Sequence, residues 1–146
     1  MNQQNEARIL AIDYGEKRIG LAITDPLNIF AYPLITIENN KNLWTELEKI
    51  IRNYNVKKII LGNPLKESGA ESRIFPLIKK FKEEVEKKFQ LSVELVDERY
   101  SSIIAKKRIV ESVSSRKKRR EKGLLDKNSA AVLLEDYLRE ISIANK

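Results

Sequence analysis

The chain opens on apolar positions that sit side by side. Ile9, Leu10, Ala11 and Ile12 are apolar on both faces, which predicts a central strand covered on both sides. Asp13 closes that strand. Residues 18–24 predict a second strand that folds back antiparallel through Tyr14, Gly15, Glu16 and Lys17, with Gly15 allowing the sharp turn. Asp25, Pro26, Leu27 and Asn28 read as the next turn, and residues 30–37 as a third strand. Pro33 has no amide to give to a ladder, so this strand belongs at the sheet edge.

The spacing then changes. Leu43, Leu47, Ile50, Ile51 and Tyr54 predict an amphipathic helix over residues 41–54, with caps on offer from residues 39–42 and Trp44 shielding its flank. Residues 57–61 are a short apolar strand after a helix, the pattern of a crossover to parallel pairing. The turn-forming stretch 62–69 is longer than a plain connection needs, and it lies where α/β proteins bind ligands. A second helix is predicted over 72–89, a fifth strand over 91–97 and a further helix over 102–112, capped by Ser101 or Ser102. The last helix should start near Leu125 or Asp126 and run to about Ser142. On it Asp126 shares one stripe with Ala130, Leu133 and Tyr137, which puts its carboxylate on the core-facing side at the helix N-terminus.

With 146 residues, 42% of them hydrophobic, the chain fits one α/β domain with a sizeable core. It has no run near the roughly 18 apolar residues of a membrane span. The opening MNQQNEAR is too polar for a signal peptide, so a cytoplasmic protein with no membrane partner is expected. The sequence contains no cysteine and no histidine. Disulfides, thiolate nucleophiles, Ser-His-Asp triads, histidine bases and Cys/His zinc sites are therefore excluded. Any catalysis must come from carboxylates, Lys/Arg, Tyr, hydroxyls or a hard metal ion held by oxygen. The net charge of +7 is concentrated: residues 99–127 hold eleven Lys/Arg against three acids, leaving the rest nearly neutral. Residues 112–123 lack apolar periodicity and read as a mobile basic loop. Such a segment suits a nucleic-acid backbone, and also suits a solvated helix face or loop.

Three acids occupy equivalent places: Asp13 ends the first strand, Glu98 follows the fifth, and Asp126 lies where the last helix meets the sheet. Each has a structural reading, as a turn cap or as an acid opposing a helix dipole. If they converge, their mutual repulsion calls for a cation, and all-oxygen ligation favours Mg²⁺ or Mn²⁺, as one ion or two. Alternation puts Asp97 and Glu98 on opposite faces without saying which one faces the site.

The stretches AIDYGEKRIGLAITD, IILGNPLKESGAESR, VDERYSS and GLLDKNSAAVLLEDYL resemble, in order and spacing, the four motifs of the YqgF-type family of pre-16S rRNA nucleases, also described as Holliday junction resolvases. The resemblance spans nearly the whole chain. It implies an RNase H-like fold, a mixed five-stranded sheet whose first three strands are antiparallel, with helices on both faces. It also implies Mg²⁺- or Mn²⁺-dependent endonucleolysis in maturation of the 5′ end of precursor 16S rRNA. Matched to the family's motifs, Asp13, Glu98 and Asp126 are the metal-holding catalytic acids. Glu98 is preferred to Asp97 on that pattern. Substrate contacts fall to Lys17, Arg18, Asn63, Arg99 and the run Arg116, Lys117, Lys118, Arg119 and Arg120. Arg99 either holds the scissile phosphate or pairs with a neighbouring acid. Lys66, Glu67 and Tyr100-Ser101-Ser102 depart from the family pattern. The partner implied is precursor rRNA, alone or in a ribosomal particle, with the protein a monomer or homodimer.

Other readings share these residues. Four-way DNA junctions could be cut by the same acids, and resolution would need two sites in a dimer. Asp-x-Gly before a hairpin also opens actin-like and sugar-kinase-like phosphotransferases, although those place nucleotide between two such domains. A non-catalytic rRNA-binding assembly factor would need the basic segment alone.

Overall fold

The computed structural model describes residues 7–66, 68–98, 105, 107–109 and 122–144. Strands β1 (Arg8–Tyr14), β2 (Arg18–Thr24) and β3 (Ala31–Glu38) form an antiparallel meander. Helix α1 (Leu43–Asn53) leads to β4 (Val56–Asn63), which pairs parallel to β1. Helix α2 (Phe75–Phe89) leads to β5 (Ser92–Asp97), parallel to β4. Helix α3 (Lys122–Ala144) ends the chain's described part. The sheet order is β3-β2-β1-β4-β5, so β1 is central and the strand carrying Pro33 is an edge, as expected. The mixed five-stranded sheet is the α/β architecture anticipated from sequence.

Each face of the sheet carries its own apolar layer. Leu10, Ile12, Ile19, Leu21, Ile59 and Leu61 pack with α1 and α2, where Leu47, Ile78 and Val85 are buried. Trp44 shields that layer's flank by stacking on Phe81, with ring centres 5.6 Å apart. On the opposite face Ala11, Ala22 and Ile60 meet Ala130, Leu133, Leu134 and Tyr137 of α3. Alternation along β1 explains the split, because even positions face α1 and α2 while odd ones face α3. The α3 side of the sheet is small, and this lets the helix lie close.

Four local expectations are corrected. No side chain caps α1: Asn42 is already helical, and its amide donates to Asn40 Oδ1 at 2.9 Å. α2 starts at Phe75 instead of Ser72, because Pro76 in its first turn needs no amide partner there. β4 continues through Gly62 and Asn63, residues read from sequence as loop. Helix α3 is already formed at Lys122, ahead of the expected start, where the Thr36 hydroxyl of β3 donates to the Gly123 carbonyl. Asp126 therefore lies one turn inside the helix. Residues 105 and 107–109 are helical, as expected for the segment after β5, and Arg108 pairs with Glu135 of α3 at 2.7 Å. Ser101, Ser102 and residues 112–121 of the expected basic loop lie outside the described residues.

Candidate active site

Because β1, β4 and β5 run parallel, their carboxyl ends share one rim of the sheet, and antiparallel β2 begins there. Asp13 lies opposite Gly20 of β2, one residue inside the strand end. On β4, Gly62 pairs with Val96 of β5. Asp13, Arg18, Gly20 and Gly62 are in phase with Ala11, Ala22 and Ile60, so all four belong to the α3 face. Glu98 is in phase with Val96, which packs into the same layer, whereas Asp97 is exposed. Of the two neighbouring acids, Glu98 is thus the one on the α3 face with Asp13.

Two glycines bring the acids to this rim. A Cβ on Gly20 would lie 2.1 Å from the Asp126 carbonyl oxygen, so only glycine lets the α3 backbone cross β2 there. A Cβ on Gly62 would lie 2.2 Å from Glu98 Oε2, so the carboxylate occupies the space that a side chain on β4 would fill. The Asn63 carbonyl accepts the Glu98 amide at 3.2 Å and fixes the base of that side chain. Sequence reading had not singled out Gly20. Its signal was a glycine inside an otherwise apolar strand.

Asp13 and Glu98 are hydrogen-bonded to each other, and Asp126 is close enough for its charge to act on Asp13. Burial pushes the Asp13 carboxyl up to about 6; its bond with Glu98 opposes this and the Asp126 charge adds to it. Glu98 is raised well above the ordinary carboxyl range, first by burial, then by the charge of Asp13 and their shared bond, with Asp97 adding to it. Each of the two carboxyls therefore resists ionisation while the other is charged. Asp126 is held differently: Arg18 Nε donates to its Oδ2 at 3.0 Å.

The remaining site residues from sequence divide cleanly. Arg18 is at the rim, though its partner in the structure is an acid. Lys17 is exposed in the hairpin turn, and its carbonyl accepts the Asn39 amide at 2.9 Å. Asn63 lies at the end of β4, with its Oδ1 buried and without a hydrogen-bond partner among the described residues. Arg99, Arg116, Lys117, Lys118, Arg119 and Arg120 lie outside the described residues.

No three Asp, Glu, His or Cys side chains among the described residues are grouped closely enough to hold a metal ion. Two observations nevertheless fit a hard divalent cation. The rim offers oxygen donors alone, and Glu98 is cradled against Gly62 in contact with a second carboxyl that it does not tolerate while both are ionised. The residues that would hold such a cation are Asp13, Glu98 and Asp126, all through carboxylate oxygens.

A family model described as RuvX, Holliday junction resolvase, matches residues 7–140. The chain belongs to the RuvX family. A RuvX relative from Chlorobium luteolum, named "Putative pre-16S rRNA nuclease", is 43% identical over 136 residues, covering 92% of this chain and 96% of that protein. One of the same name from Chlorobium phaeobacteroides is 45% identical over 132 residues, 90% and 91% of the two chains. Among solved structures, the Fowlpox virus resolvase bound to Holliday junction DNA superposes with a TM-score of 0.56 at 15% identity, covering 92% and 98% of the two chains. RuvC of T. thermophilus in complex with a junction gives 0.56 at 11% identity, covering 92% and 96%. At such low identity these two establish the RNase H-like resolvase fold for RuvX. Membership makes the chain a nuclease, a hydrolase of phosphodiester bonds, and sets aside the phosphotransferase reading.

Proposed function

We propose that this protein is a Mg²⁺- or Mn²⁺-dependent endonuclease that matures the 5′ end of precursor 16S rRNA in the cytoplasm. The observation that carries the catalytic part is the contact of Asp13 with Glu98 beside Asp126, three acids from distant parts of the chain at one rim. The names of the full-length relatives favour rRNA as the substrate. Asp13, Glu98 and Asp126 would hold the cation, which when bound supplies Lewis acidity and lowers the pKa of water. Asp13, on which both Glu98 and Asp126 act, would be the ligand common to them. Glu98, seated on Gly62, is aimed by the end of β4. Arg99 follows Glu98 directly in the chain and is suited to a non-bridging phosphate oxygen. The basic run 116–120 and Lys17 add sequence-independent attraction for the strand. Hydrolysis attaches the oxygen of water to phosphorus and releases the strand's own oxygen as a hydroxyl.

The test is cleavage of a precursor 16S rRNA 5′ leader in Mn²⁺, alone and on ribosomal particles, by the parent protein and Asp13→Asn. The expected result is site-specific cleavage that falls at least about a hundredfold in the variant. Undiminished cleavage by the variant would remove the catalytic assignment and leave a basic rRNA-binding factor. A second reading is supported by the family's description as a Holliday junction resolvase. A four-way DNA junction run beside the RNA decides between them, since junction resolution also requires a dimer.

A further inference from the structure

Arg18 and Asp126 are 108 positions apart in the chain, yet their contact belongs to the most constrained part of the rim. Arg18 opens β2 on the α3 face, and two residues on Gly20 seats the α3 backbone at Asp126 itself. Both side chains are partly shielded, 36% and 23% exposed. The contact with Asp126 is made by Nε, and the donors of the two terminal guanidinium nitrogens are not part of it. An arginine cannot shed its charge in a protein. A divalent cation on the same carboxylate would bring like charges within a few ångströms of each other, which weakens the guanidinium's hold on Asp126. An incoming strand supplies phosphate oxygens that match its planar fork.

We propose that Arg18 is the resident counter-ion of the catalytic acids, holding Asp126 until a divalent cation loads and then turning to a phosphate of the bound strand. The inference rests on the reading that these acids take a divalent cation. Arg18 in this role is a positioning residue. It lowers the cation affinity of the free protein and makes cation and nucleic acid bind cooperatively, since each favours the state in which the Arg18–Asp126 contact is open.

The experiment is calorimetric titration of Mn²⁺ into the nucleic-acid-free protein, with thermal melts confirming a cooperative fold for each variant. Arg18→Gln is expected to bind Mn²⁺ about three- to tenfold more tightly than the parent. Arg18→Lys, which keeps the charge but loses the fork, is expected to fall between the two. In an Asp126→Asn background Arg18→Gln should change Mn²⁺ affinity by less than about twofold, because the contact is already gone. With Ca²⁺ in place of Mn²⁺, Arg18→Gln should weaken binding of precursor rRNA. Unchanged or weaker Mn²⁺ binding by Arg18→Gln overturns the proposal. So does an equal gain in the Asp126→Asn background, which would reveal only a general field effect. If neither the parent nor any Arg18 variant binds Mn²⁺, the divalent-site reading itself is contradicted, and the counter-ion proposal falls with it.

Discussion

Asp13 and Glu98 are both held above the ordinary carboxyl range, first by burial and then by each other's charge or that of neighbouring acids, so ionising both is unfavourable. Neutralising one of them should therefore stabilise the protein while disabling it. Asp13→Asn, melted in chelator at pH 8, is expected to have a Tm about 3 °C above the parent. A fall in Tm would mean that the two carboxyls support the fold. Asp25 is the opposite case, far from the rim. Partial burial raises its pKa, but amides donated by Phe30 and Ile29, each at 2.7 Å, and by Leu27 outweigh this and hold it below the ordinary value of 3.8. An acid depressed in the folded state contributes stability above its unfolded pKa, and the contribution is lost as pH falls through the folded value. Asp25→Ala should cost about 1 kcal/mol in urea unfolding at pH 7, and progressively less as pH falls below 3.8.

At the scale of elements, the site depends on two glycines in strands, and they fail differently. Gly20→Ala sets a Cβ against the backbone of α3, which cannot yield locally. The expected result is a loss of about 1–3 kcal/mol in urea unfolding together with loss of cleavage. Gly62→Ala meets the tip of the Glu98 side chain, which can swing aside. The fold should survive within about 1 kcal/mol while cleavage falls at least tenfold, so stability and activity separate only at position 62. Much of this level was legible beforehand. Lys17 and Asp25 bracket the apolar run of β2, which makes its bounds plain, and Pro33 marks the edge strand. The start of α3 was hidden because Gly123 and the basic residues before it carry no helical periodicity, and the bond from Thr36 that seats it is tertiary. The cap expected for α1 failed because Asn40 spends its side chain on the Asn42 amide outside the helix.

At the scale of the molecule, mixed strand direction is what makes a site. Parallel β1, β4 and β5 deliver Asp13, Gly62 and Glu98 to one rim, and antiparallel β2 starts there with Arg18. The helix that covers the α3 face adds Asp126. Sequence pattern supplied the acids one by one, and the resemblance to a nuclease family grouped them. Neither could supply the Arg18–Asp126 contact, since charges 108 residues apart meet only through the packing of α3 on β2. The central claim is that Asp13, Glu98 and Asp126 surround one cation-binding place. The most direct measurement is anomalous diffraction from crystals soaked in Mn²⁺. A peak touching Asp13 and Glu98, with Asp126 turned from Arg18 toward it, is the predicted result. A fully soaked crystal with Mn²⁺ at other carboxylates and none at this rim would contradict the account.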